Sequence, residues 1–250
     1  MNNPNEIIII GGGNSINEGI KLGLKDKLKD KFVIACNYAY KHFPYTFMCC
    51  VDKDFYIPIH AKNNPNYPDI YEELKSLPLI ISINNGKIKE FKHSNTYLLR
   101  GCGTYHGKNS LKKGIYRPNL CGLFALTLAH IFIDFKGIIF LLGYDWTIRD
   151  KKKVDPKNYK STDLNIKTHY YSNKELTHRG QGYVGFYENH DPHKYFQVYK
   201  EPEVKIYNVS PNSNINSFAK INYEEMFELL NKESYNQEKL RKIIKNKLRL

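Results

Sequence analysis

No segment of this chain is apolar for long enough to span a bilayer: the longest candidates, such as Ile138 to Leu142, are strand-sized and bounded by glycine or charge. That pattern gives no membrane-spanning segment. The first residues, Met1-Asn2-Asn3-Pro4-Asn5-Glu6, lack a positive stretch leading into an apolar one, so no secretory signal is read and a cytoplasmic location is expected. The five cysteines, at positions 36, 49, 50, 102 and 121, are odd in number and show no Cys-x-x-Cys spacing. They carry no disulfide framework and are expected to be reduced and buried. His-Glu-x-x-His spacing is missing too, so neither histidine nor cysteine gives a zinc signature. Arginine is scarce beside lysine. The formal charge of +13 therefore permits nucleic-acid contact without showing it, because phosphate and base recognition more often recruits arginine. Abundant Lys, Asn, Ile and Tyr also follow from an AT-rich genome.

What is present is a globular composition, 250 residues with 41% hydrophobic and 14% aromatic content, enough for one full core. Its most informative stretch is Ile7-Ile8-Ile9-Ile10 running into Gly11-Gly12-Gly13-Asn14-Ser15. A continuous β-branched run reads as a buried parallel strand, and the glycines at its end allow a tight turn and close approach of a ligand. Asn14 or Ser15 is placed to cap a helix beginning at Ile16, which aims amide donors and the positive helix end at an anion. The turn is not the dinucleotide fingerprint, because Ile16 stands where the third glycine is needed. A nucleotide phosphate is expected there, but not NAD.

The pattern predicts strand Glu6 to Ile10, a helix from Ile16 to about Lys29, and strand Phe32 to Cys36, one parallel β-α-β unit. Further strands are predicted at Phe47 to Val51, Leu79 to Ile83, Thr96 to Arg100, Gly137 to Leu142 and Val204 to Val209. Asn84-Asn85-Gly86 suggests a hairpin turn into Lys87 to Phe91. Helices are expected at Ile70 to Leu77, Leu120 to Phe135 and from Tyr223 onward. Residues 146–196 are polar and without apolar periodicity, which reads as an active-site lid. In the last helix Leu240, Ile243, Ile244 and Leu248 fall at helical spacing among Lys239, Arg241, Lys242, Lys245, Lys247 and Arg249, a basic segment packed on the domain. The fold class is α/β: a Rossmann-like, mostly parallel sheet flanked by helices, with a long lid loop and C-terminal helices. A homo-oligomer is compatible with it.

Six short motifs recur here in one order: Gly11 to Ser15, Cys36-Asn37, Asp52 at a strand end, Cys121-Gly122 opening a helix, Leu142-Gly143-Tyr144-Asp145, and Ile206-Tyr207-Asn208 before Ser210-Pro211-Asn212-Ser213. In that order the chain resembles the bacterial lipooligosaccharide sialyltransferases, and also phage-encoded Rossmann-like proteins similar to archaeal hydroxymethylpterin diphosphokinases. The resemblance implies that residues 1–222 form a nucleotide-sugar-binding catalytic domain, with 223–250 as the basic helical appendage. It implies a donor site in which Gly11, Gly12, Gly13, Asn14 and Ser15 hold the phosphate and Asn37 bonds the nucleotide or sugar. Gly122 approaches the sugar, Cys121 stands where serine is usual, Asp52 and Asp145 line the cleft, and Ser213 lies near the base. Of the tyrosine pair that stabilises the leaving phosphate in the sialyltransferases, Thr147 occupies one place and Tyr159 serves as the other.

Sugar transfer needs a base for the acceptor hydroxyl and a means of stabilising the departing phosphate. His190 is the first candidate base, followed by His193 and His178, since histidine titrates near neutrality. Arg149 with Lys151, Lys152 and Lys153 offers a metal-free lid over the phosphates; alternatively Asp52 and Asp54 form an Asp-x-Asp able to hold Mg²⁺ or Mn²⁺. The expectation is a glycosyltransferase that takes a nucleotide-sugar donor and modifies a surface glycan or a phage DNA base, acting in the host cytoplasm if viral. Two alternatives stand beside it: a Mg²⁺-dependent diphosphokinase-like enzyme acting on a small alcohol, and a non-catalytic nucleotide-binding phage assembly protein.

Overall fold

The computed structural model describes residues 4–51, 70–84, 95–102, 111, 115–116, 120–146, 154–155, 160–161 and 192–249. The strands are β1 (Glu6–Ile10), β2 (Val33–Cys36), β3 (Phe47–Cys50), β4 (Ile80–Asn84), β5 (Thr96–Cys102), β6 (Ile115–Tyr116), β7 (Gly137–Leu142), β8 (Val154–Asp155), β9 (Lys160–Ser161), β10 (Val204–Asn208) and β11 (Ala219–Lys220). The helices are α1 (Ile16–Lys21), α2 (Leu24–Lys27), α3 (Ile70–Ser76), α4 (Cys121–Phe132), α5 (Pro192–Phe196), α6 (Tyr223–Leu229) and α7 (Gln237–Leu248). Nine strands form one sheet in the order β11-β10-β7-β1-β2-β3-β4-β5-β6, and every pairing in it is parallel. This is the expected Rossmann-like α/β architecture. The short strands β8 and β9 pair antiparallel as a separate ribbon inside the segment expected to be a loop.

Chain direction across the sheet locates the reversal of strand order. The chain builds outward from β1 to β6, then returns to lay β7 on the other side of β1, with β10 and β11 beyond it. The order therefore reverses between β1 and β7. In an open parallel sheet a crevice forms at such a reversal, outside the carboxyl ends of the strands.

The isoleucine run is apolar on both sides because β1 is covered on both sides. Ile7 and Ile9 pack with α4, whereas Ile8 and Ile10 pack with α1, α2 and α6, and all four are fully buried. Each contributes about 1.5–3 kcal/mol of burial. Helix α4 is buried around almost its whole circumference, and its two polar residues are satisfied. The Thr127 hydroxyl donates to the Leu123 carbonyl at 3.1 Å, and His130 places its ring nitrogens 2.8 Å from the Leu126 carbonyl and 3.1 Å from that of Tyr199.

Three expectations change. The helix from Ile16 to Lys29 is two helices, because Gly23 adopts φ 79° and breaks the pattern between α1 and α2. The hairpin through Asn84-Asn85-Gly86 does not form on Ile80 to Ser82, since both edges there are taken by parallel neighbours β3 and β5. Its second strand, Lys87 to Phe91, lies outside the described residues. The helix expected at Leu120 to Phe135 ends at Phe132, because Asp134 and Phe135 both adopt positive φ.

The C-terminal helix α7 buries Leu240 and Ile244 in the core. Arg241 donates to the Thr46 and Tyr45 carbonyls, both at 2.8 Å, and Gln237 donates to the Lys31 carbonyl at 2.8 Å. These partners precede β2 and β3, so the helix is fixed at the amino edge of the sheet, opposite the crevice. A groove of about 300 Å³ beside it, lined by Lys29, Lys31, Tyr45 and Arg241 among others, shares that edge. Lys31 and Arg241 already donate to backbone carbonyls there. Among the described residues no helix is long and apolar enough to cross a membrane.

Candidate functional site

The turn after β1 and the turn after β7 are locked together. Gly11 N–H donates to the Leu142 carbonyl at 2.7 Å, and Gly13 N–H to the Gly143 carbonyl at 2.9 Å. Asp145 then reaches across: its carboxylate accepts the Ser15 amide at 2.9 Å, the Ser15 hydroxyl at 2.5 Å and the Ser210 hydroxyl at 2.6 Å. This approach is why position 13 is glycine. A Cβ there would stand 2.5 Å from the Asp145 carboxylate and 2.6 Å from the Gly143 carbonyl.

The anion at the start of α1 is therefore the protein's own carboxylate. Ser15 occupies the N-cap position without making a side-chain cap, since both its amide and its hydroxyl serve Asp145. Three amides of the turn expected to cradle a phosphate, those of Gly11, Gly13 and Ser15, donate inside the protein.

Asn37, immediately after β2, adopts φ 50°, a left-handed conformation that asparagine tolerates better than most residues. Its side-chain oxygen is buried and has no hydrogen-bond partner among the described residues. An unsatisfied buried acceptor costs about 1–3 kcal/mol, and a ligand donor offsets that cost. Asn208, at the end of β10, is similar: its side-chain nitrogen donates to the Tyr144 carbonyl at 3.2 Å while its oxygen has no partner among the described residues. Ser213 donates its hydroxyl to the same Tyr144 carbonyl at 2.6 Å, and the Asn214 side chain donates to the Trp146 carbonyl at 2.8 Å. The loop after β10 thus holds the Asp145 turn in place, and Trp146 follows it with φ 44°.

No family model matches this chain, nor does any curated protein or solved structure. What the site does is read from its own atoms.

Helix α5 belongs to the same edge, because the Phe196 ring meets Tyr144, Trp146 and Phe218. His193 on α5 is exposed, with Nδ1 3.1 Å from the buried Ser217 hydroxyl. His178, His190, Tyr159, Asp52 and Asp54 lie outside the described residues, as do Thr147, Arg149 and Lys151 to Lys153.

Cys121 and Gly122 face inward. A Cβ on Gly122 would meet the Tyr144 ring at 3.1 Å, and the Tyr144 hydroxyl donates to the Gly122 carbonyl at 2.8 Å. The Cys121 sulfur lies 3.7 Å from that of Cys49, which lies 3.9 Å from that of Cys36. Hydrogen bonds from Cys121 and Cys49 pull the Cys36 thiol down to about 5, while burial pushes Cys49 and Cys121 up. The thiols are 13 and 72 positions apart, so no spacing motif reveals them. The available signal is positional: Cys36 ends one strand, Cys49 lies near the end of the next, and Cys121 opens a helix.

Proposed function

We propose that this chain is a glycosyltransferase that holds a nucleotide-linked sugar at the carboxyl edge of its sheet and passes the sugar to an acceptor hydroxyl. The observation that carries the reading is the buried side-chain oxygen of Asn37, without a partner among the described residues, near the β1/β7 reversal, where Asp145 and the serines of two loops also converge. Asp145 constrains the pose. A carboxylate at this point repels phosphate, so the donor places hydroxyl or amine groups toward Asp145 and Asn37, as an acidic side chain receives ribose hydroxyls in other nucleotide sites. The next residues in sequence, 147–153, carry Arg149 and three lysines, the charge type that a donor phosphate needs.

In this reading a histidine takes the proton of the acceptor hydroxyl as its oxygen attacks the anomeric carbon. The bond from that carbon to the phosphate oxygen breaks, and the nucleotide leaves with the electron pair. His193 is the described candidate at this edge, with His190 and His178 beside it in sequence. The resemblance to sialyltransferases and the hydroxyl-accepting chemistry of the cleft both support sugar transfer.

Incubating the protein with CMP-, UDP-, GDP- and ADP-sugars and following nucleotide release tests this. Slow donor hydrolysis with one nucleotide class is expected. If no donor is turned over, with or without Mg²⁺ and with glycan or DNA acceptors added, the reading fails.

A further inference from the structure

We propose that Cys36, Cys49 and Cys121 form a binding site for one soft, closed-shell metal ion, Zn²⁺ or Cu⁺, held by three thiolate sulfurs. Cys36 and Cys49 are register partners on adjacent parallel strands, and Cys121 is the first residue of α4, which lays its N-terminus over them. The three ligand sulfurs all lie within 4.8 Å of one another and are buried. An ion with metal–sulfur bonds of about 2.3 Å holds its sulfurs roughly 3.8 Å apart. The separations of 3.7 Å for Cys49 to Cys121 and 3.9 Å for Cys36 to Cys49 already have that spacing.

The surroundings fit a sulfur site rather than a hard-ion site. The cluster sits within the apolar core that packs between the sheet and α4, and thiolates are the ligands that select soft ions. Cys50, next in sequence to Cys49, faces the opposite side of the sheet and belongs to the other core cluster. Side-chain alternation along β3 thus separates one thiol from the trio. Metal binding there would tie β2, β3 and α4 together directly beneath Asn37 and Gly122. Binding would break the S–H bonds of the thiols, release their protons to solvent and form three metal–sulfur bonds, with no change of oxidation state.

The test uses the full chain, purified without metal under anaerobic reducing conditions and titrated separately with Zn²⁺, Cu⁺ and Co²⁺ as a spectroscopic stand-in for Zn²⁺. One equivalent should bind, with a thiolate-to-metal charge-transfer band for Co²⁺ or Cu⁺, and competition between the two ions identifies the preferred one. The variant C36S/C49S/C121S should lose that equivalent, whereas Cys50→Ser keeps it. Alkylation of the wild-type chain in urea just below its unfolding transition, where the buried thiols open transiently, gives a second readout that does not depend on the variant's folding: metal should protect Cys36, Cys49 and Cys121 from modification. Failure of the wild type to bind one equivalent, retention of it by the triple variant, or no metal-dependent protection overturns the site and leaves three thiols that only fill the core.

Discussion

Asp145 and Ser15 are joined by two hydrogen bonds across 130 positions of sequence, so a residue of the loop after β7 closes the turn that follows β1. The bond from the Ser15 amide has no other described acceptor, and the Asp145 carboxylate also gathers Ser210. Asp145→Ala leaves these donors without their acceptor and should cost about 1–3 kcal/mol of stability. Urea unfolding measures it, and an unchanged midpoint would show that the turn does not depend on this contact.

Gly13→Ala tests the same junction from the other side. Its methyl would stand 2.5 Å from the Asp145 carboxylate and 2.6 Å from a backbone carbonyl that has little room to move. A loss of about 1–3 kcal/mol is expected. Combining it with Asp145→Ala should be less than additive, because the two changes disturb one contact.

Gly23→Ala isolates backbone conformation from packing. Nothing lies within 4 Å of a Cβ at this position, yet the residue has φ 79°. The expected cost is about 1 kcal/mol, all of it conformational, and Gly23→Asn should recover part of it. Equal stability of the alanine and glycine proteins would mean that the break between α1 and α2 is not held in this conformation.

Glu6 gives a pH signature. Burial raises its carboxyl above the usual range, against the lowering effects of the Asn231 amide that donates to it at 2.9 Å and of the Lys31 charge. Below the unfolded pKa the group is neutral in both states and its favourable contribution is complete. As pH rises through the higher folded value, that contribution is lost. Glu6→Gln keeps an acceptor for Asn231 and removes the buried charge. Its melting temperature should exceed the wild type's at pH 7 to 8 and converge with it near pH 4. An advantage that grows toward acid would contradict the assignment.

Much of the fold is legible from local sequence because burial on both faces leaves a plain mark. Glu6 to Ile10 and Gly137 to Leu142 read as covered strands, and both are found at those bounds. Where reading fails, a tertiary contact overrides a local signal. The Asn-Gly pair at 85–86 suggests a hairpin, yet Ile80 to Ser82 has parallel neighbours on both sides. Gly23 lies inside a helical pattern and acts as its stop. The two-residue strands at Ile115–Tyr116 and Ala219–Lys220 are too short for any period.

The site divides in the same way. Gly11, Gly13, Ser15, Asp145 and Ser213 are sequence-marked positions that the fold gathers at one edge, but the partner of the glycine turn is a carboxylate from the loop after β7 and no periodicity announces it. Asn37 stands out in sequence only through a resemblance, whereas its unpartnered oxygen is a property of the folded chain. The thiol trio is legible only in three dimensions.

Isothermal titration of CMP-, UDP-, GDP- and ADP-sugars into the wild-type chain and into Asn37→Ala is the most direct measurement of the central claim. One donor class should bind the wild type with one site per chain, and the variant should bind it roughly tenfold more weakly, the loss of one hydrogen bond to a buried acceptor. No heat with any donor, or equal affinity in the two proteins, would contradict a nucleotide-sugar site at this edge.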